Sequence, residues 1–244
     1  MVKISYICPI YNKVKYLKKV LASIKNQQGE FSKEFIFIND GSTDGSLELL
    51  KNQTLNWKNI LIINQINQGP AIATQNGIKR AKGEYIKLVG GDDIMAPHCS
   101  ELLLKTILKK NSVAAFSAYK LLDNYSEIIF DKKDIKNFRV LKNPLFQTVK
   151  SSFSGTTPNL YCNKSIKKSG GCNNKIFVED FSLVLGLSNF GSFSFIDNVT
   201  SYGPSNDANR IMIGQKVQLI HDYNAALFYF FKSNTEICNE ILKV

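Results

Sequence analysis

Apolar positions in the first 118 residues alternate between two rhythms. Ile4 to Cys8 is a short β-rich run stopped by Pro9. Leu17, Val20, Leu21 and Ile24 then recur at helical spacing within Val14 to Gln27. Phe35 to Ile38 is continuously apolar, as expected of a strand covered on both faces, and it ends in Asp40-Gly41-Ser42-Thr43-Asp44. Leu47, Leu49 and Leu50 begin another helix. The cycle continues with strands at Ile60–Ile63, Tyr85–Val89 and Val113–Ser117. Between them lie helices at Ala71–Ala81, after the Gly69-Pro70 turn, and at Ser100–Lys110. Strands separated by helices of this length predict βαβ units and a mostly parallel, Rossmann-like α/β sheet flanked by helices.

After about Tyr119 the rhythm is lost. Residues 119–147 read as irregular strands and loops, and 148–206 as Gly, Ser and Asn clusters between short apolar runs. Arg210 to Phe231 reads as an amphipathic helix with Val217, Ile220, Ala225, Leu227, Phe228 and Phe231 on a broad apolar face. Such a helix packs against its own domain or lies on a membrane surface, and packing is the commoner outcome. No repeat or linker divides the chain. The pattern predicts one domain in two parts, a ligand-binding half over 1–118 and a C-terminal region over 119–244.

Composition changes this picture little. Lys and Arg number 31 against 20 Asp and Glu, a net charge of +11, which favours phosphorylated ligands or anionic lipid. The positive residues are scattered and no nucleic-acid motif accompanies them, so nucleic acid is not an expected partner. The five cysteines form no CxxC pair. That disfavours a disulfide framework or a zinc site and fits a reducing compartment. With no apolar leader and no run long enough to cross a bilayer, a cytoplasmic location is expected.

Ligands of an open parallel sheet bind beyond the carboxyl ends of its strands. Polar clusters fall at those ends: Pro9–Asn12, Asn39–Asp44, Asn67–Gln68 and Gly90–Asp93. The first turn lacks both GxGxxG and the P-loop pattern, which argues against dehydrogenase and P-loop chemistry. Asp40 is a carboxylate able to accept from the N–H of a uracil-like base, and Asn12 and Asn67 offer bifunctional amides. The adjacent acids Asp92 and Asp93 suit a hard divalent cation, magnesium or manganese, completed by phosphate oxygens. Taken singly, Asp-Gly-Ser is more often a plain turn, and Asp92-Asp93 could merely precede a helix. Their order at successive strand ends is the stronger signal.

With those residues in place, the chain resembles the family 2 glycosyltransferases of GT-A fold. The matching segments are Pro9-Ile-Tyr-Asn12, Glu34 to Asp44, Asn67-Gln-Gly69, Asn76-Gly-Ile78, Ala81 to Tyr85, Gly90-Gly-Asp-Asp93, Ser169-Gly-Gly171 and Val178-Glu-Asp180. The resemblance implies an inverting transfer of a sugar from a nucleotide-diphosphate sugar, a UDP-sugar by preference, to a hydroxyl acceptor. That acceptor would be a saccharide or lipid-linked saccharide, in surface polysaccharide biosynthesis. It places Pro9, Tyr11, Asn12, Asp40, Asn67, Gly69 and Gly91 around the nucleotide, with Arg80 approaching the diphosphate. Asp92 corresponds to the last acid of the DxD metal motif, and the Glu179-Asp180 pair to the catalytic acids, with Asp180 as the base. Residues 1–118 would then bind the nucleotide sugar, and 119–244 would form the acceptor side.

Two positions depart from the family pattern. Asn39 replaces the first acid of Asp-Asp-Gly-Ser, and Gly90 replaces the first acid of DxD, which weakens the expected metal site. Arg210 is a further candidate for the diphosphate. Alternatives are a nucleotidyltransferase, whose glycine-rich basic loop is missing here, and a non-catalytic nucleotide-sugar-binding scaffold with a decayed metal motif.

Overall fold

The computed structural model describes residues 1–153, 155, 157–205 and 216–237. The elements in chain order are β1 (Lys3–Ile10), α1 (Val14–Lys25), β2 (Ser32–Asp40), α2 (Ser46–Thr54), β3 (Ile60–Gln65) and α3 (Pro70–Arg80). They continue with β4 (Tyr85–Leu88), β5 (Ile94–Met95), α4 (Cys99–Lys110), β6 (Ala114–Leu122), β7 (Phe138–Leu141) and α5 (Pro144–Lys150). The chain then forms β8 (Asn159–Cys162), α6 (Asn163–Ser169), α7 (Glu179–Leu187), β9 (Phe193–Pro204) and α8 (Lys216–Ser233).

All the strands join one sheet of order β3-β2-β1-β4-β8-β6-β9-β5, with β7 paired to β9. The β1–β2, β2–β3, β1–β4 and β6–β9 pairs are parallel, and β8 runs antiparallel to both β4 and β6. Two reversals restore direction, so β1, β2, β4, β6 and β9 all deliver their carboxyl ends to one edge. This is a Rossmann-like α/β sheet with mixed pairing.

The apolar alternation on β1 explains the layers. Ile4, Tyr6 and Cys8 pack with Leu17, Val20, Leu21 and Ile24 of α1 and with Leu102, Leu103 and Ile107 of α4. Ile7 faces the other way, with Ile36 and Ile38, against α3 and Leu183, Val184 and Leu187 of α7. A third cluster joins Val178, Phe181 and Leu185 to Ala226 of α8. Gly77 lets α3 lie directly on the sheet, since a Cβ there would meet Ile7 and come within 2.9 Å of Ile38 Cδ1.

The last strand of the βαβ rhythm is longer than expected. The strand at Val113–Ser117 runs on to Leu122, because β9 pairs with it as far as Leu122↔Pro204. The boundary at 118 therefore falls inside a strand. The C-terminal helix is described from Lys216, and Arg210 lies outside the described residues. Among the described residues, no helix is long and apolar enough to cross a membrane.

Candidate active site

A cavity of about 620 Å³ opens at the common edge of the sheet. Pro9, Ile10 and Tyr11 reach it from the end of β1, Asp40 from β2, and Asn67 and Gly69 from the turn before α3. Gly90, Gly91 and Asp92 follow β4, Leu121 and Ser205 close β6 and β9, and Glu179 and Asp180 begin α7. Asp40, Asp92 and Asp180, far apart in sequence, thus line one chamber.

Asp40 is 3% exposed and holds its own surroundings. Its Oδ1 accepts from Gln65 Nε2 at 2.8 Å and Gln68 N at 2.9 Å, and its Oδ2 from Gly69 N at 2.9 Å. A carboxylate offers about four acceptor sites, so Oδ2 keeps one for a ligand. Asn39, in place of an acid, donates to Asn64 Oδ1 at 2.7 Å across the β2–β3 pair. Asn12 departs from expectation: it is absent from the cavity wall. Its backbone is left-handed (φ 51°), and its Oδ1 accepts from Thr43 N at 2.8 Å, tying the loop after β1 to the loop after β2.

The turn after β4 carries the altered metal motif. Asp93 is turned away from the chamber, its carboxylate accepting from Tyr119 Oη at 2.8 Å and from Thr157 Oγ1. A Cβ at Gly90 would stand 2.6 Å from Asp93 Oδ2, so an acid there would require the Asp93 carboxylate to shift. Asp92 remains at the wall, but Lys13 Nζ lies 2.7 Å from its Oδ2, with the side chains only 8% and 13% exposed. The motif thus presents a carboxylate–ammonium pair to the cavity rather than two acids. One carboxylate is left, and an ammonium already holds it; among the described residues no group of three His, Cys, Asp or Glu side chains could hold a metal.

The acidic pair is set by a different device. Gly170 and Gly171 both adopt positive φ, 88° and 78°, turning the chain sharply after α6. Gln75 of α3 holds this turn, donating to Gly170 O at 3.2 Å and accepting from Cys172 N at 2.9 Å. The chain then enters α7 with Glu179 and Asp180 in its first turn, where the helix dipole favours negative charge. Burial, then the neighbouring Asp180 charge, push the Glu179 carboxyl from an ordinary 4.5 up to about 8. Burial also raises Asp180, against hydrogen bonds from the backbone of Phe181 and Gly155. Both shifts share one direction, because two neighbouring acids at a half-buried position resist carrying two negative charges at once.

On the far wall, Asp222 of α8 accepts from Phe177 N at 2.7 Å, and the Tyr223 ring packs on Phe181 with centroids 4.7 Å apart. These contacts fix Phe177, Leu219 and Tyr223 as apolar lining. Arg80 is absent from the cavity wall. It is the exposed last residue of α3, whereas the cavity touches that helix at Pro70 and Ala73. At about 1.5 Å per residue the helix carries the Arg80 backbone roughly 10 Å beyond Ala73.

Sequence reasoning did not find Lys13, Lys87, Thr157 or Tyr223. Lys87 carried a visible signal, being a lysine inside the apolar strand β4. Fully buried, it donates to Thr157 O and, at 2.7 Å, to Asn159 O. It thereby holds the segment that positions Asp93.

A model described as Glycosyl transferase family 2 matches residues 5–169. The chain belongs to that family. Among similar proteins, an uncharacterized glycosyltransferase of Haemophilus influenzae is 33% identical over 148 residues, 59% of this chain and 59% of that protein. Glycosyltransferase GlyG of Streptococcus pneumoniae is 35% identical over 125 residues, 51% of this chain and 40% of that one. An uncharacterized glycosyltransferase of Rickettsia bellii is 36% identical over 121 residues, 50% of this chain and 17% of the other. Each match spans less than two thirds of the relative's length. The solved structure of S. aureus TarS 1-349 in complex with UDP-GlcNAc superposes with a TM-score of 0.64 at 20% identity, covering 85% of this chain and 60% of that one. At that identity the likeness is one of fold.

Proposed function

We propose that this family 2 chain moves a sugar from a UDP-sugar to a hydroxyl acceptor with inversion at the anomeric carbon. The observation that carries this reading is the shared chamber: strand-end residues Pro9, Tyr11 and Asp40 meet the Glu179-Asp180 pair across a single cavity. Its volume falls in the usual range for a cofactor-sized ligand. A UDP-linked donor draws support from the TarS structure, whose complex contains UDP-GlcNAc.

In the reaction, Asp180 takes the proton of the acceptor hydroxyl as that oxygen forms its bond to the anomeric carbon. The bond from that carbon to the phosphate oxygen breaks, and its electron pair leaves with the nucleotide diphosphate. A single base and no enzyme nucleophile suit one displacement, hence inversion. Phe177 and Tyr223 put aromatic side chains on the cavity wall, the kind of surface against which a sugar ring packs, which supports a saccharide or lipid-linked saccharide acceptor. Such products suit surface polysaccharide assembly. Cys8, Cys99, Cys162 and Cys172 are unpaired, which supports a place in the reducing cytoplasm.

The test is a donor screen. The purified chain is incubated with UDP-, GDP- and CDP-sugars and a panel of saccharide acceptors, and nucleotide release is measured. UDP release is expected, with the product anomer inverted by NMR, and Asp180→Asn lowers the rate by about 10²–10⁴-fold. Nucleotide binding with no release from any donor would favour a non-catalytic binder instead.

A further inference from the structure

The chemistry assigned above leaves negative charge on the departing diphosphate, and something in the cavity must offset it. Of the turn after β4, Gly90 has no side chain and Asp93 is bonded into the protein. Asp92 alone faces the chamber, with Lys13 against it at 2.7 Å. A divalent cation bound at Asp92 would sit within a few ångströms of that ammonium, and like charges so close in a poorly hydrated pocket repel strongly.

Lys13 is also held rigidly. Its backbone N–H donates to Ser46 Oγ at 2.9 Å, and its side chain lies along Gly91, where an added Cβ would come within 3.0 Å of Lys13 Cγ. Its side chain lines the same cavity as Asp40 and Asp180. An ammonium has three N–H donors, and Asp92 is its hydrogen-bond partner among the described residues. Donors remain for anionic oxygens.

Resting on the UDP-sugar reading, we infer that Lys13 stands where the family's metal would act. Its ammonium, aimed by Asp92, receives the donor diphosphate and offsets the charge that develops as the phosphate oxygen takes the electron pair of the broken bond. A preorganised cation in a partly dry site needs no reorganisation during reaction. Lysine serves as a point-charge phosphate binder in other folds. Lys13 touches the leaving group and is a catalytic residue, whereas Asp92 is a positioning residue that acts through it.

Calorimetric titration of the full chain with UDP and with uridine, in EDTA and in manganese chloride, tests this. Wild-type protein is expected to bind UDP in EDTA within about twofold of its affinity in manganese. Lys13→Met should weaken UDP by about tenfold to a hundredfold in EDTA, the size of a lost charge-assisted hydrogen bond, with uridine unaffected. Manganese should then restore part of the loss, because Asp92 has been freed. Lys13→Arg keeps the charge and should retain most of the UDP affinity; thermal melts verify that each variant is folded. UDP binding by wild type that requires manganese overturns the role of Lys13 and leaves the functional reading standing. Failure of both uridine and UDP to bind under either condition overturns the functional reading itself. The wild-type comparison alone decides between these outcomes if Lys13→Met does not fold.

Discussion

Glu179 and Asp180 stand half-buried side by side in the first turn of α7, and burial raises both carboxyls, Glu179 to about 8. The unfolded chain releases the Glu179 proton near 4.5, whereas the folded chain keeps it until about 8. In that window the folded state binds more protons, so stability falls as pH rises. Replacing Glu179 by Gln removes a group that must otherwise be kept neutral. The melting temperature of Glu179→Gln, relative to wild type, is therefore expected to be higher at pH 8 than at pH 5. Equal differences at both values would show that Glu179 ionises normally in the folded protein.

At the scale of elements, the second half of the chain acts on the first through β4. Lys87 donates to the carbonyls of Thr157 and Asn159, burial pulling its ammonium below its usual range. Thr157 binds Asp93 and also accepts from Gly90 N at 2.9 Å, while Gly155 reaches Asp180. One buried lysine therefore anchors a segment that touches both ends of the chamber. Lys87→Met keeps the volume but strands two carbonyls. It is expected to lower stability by roughly 1–3 kcal/mol in denaturant titration. It should also both lower kcat and raise KM, because the segment reaches Asp180 through Gly155 and the turn after β4 through Thr157. A rise in KM alone would place the segment on the donor side.

For the whole molecule, the decisive fact is direction: β1, β2, β4, β6 and β9 end on one edge despite the antiparallel β8 between them. Everything at the opposite edge is remote from the chemistry, including the exposed end of α3. Arg80→Ala is accordingly expected to change UDP affinity by less than about twofold, measured by the same calorimetry; a tenfold loss would mean that Arg80 reaches the cavity. The βαβ rhythm, the buried central strands and the strand-end motifs were legible in the sequence because each depends on local periodicity and on turn residues a few positions apart. The Glu179-Asp180 pair was legible through resemblance, and the missing acid at Gly90 by inspection. What only the tertiary structure decided were matters of long-range partnership. Asn12 was drawn to Thr43, β6 was extended by β9, Arg80 was carried off by a helical turn count, and Lys13 was brought onto Asp92 from 79 residues away. No periodicity encodes such a pairing, since the free energy of a buried ion pair depends on which side chains the finished fold leaves facing each other.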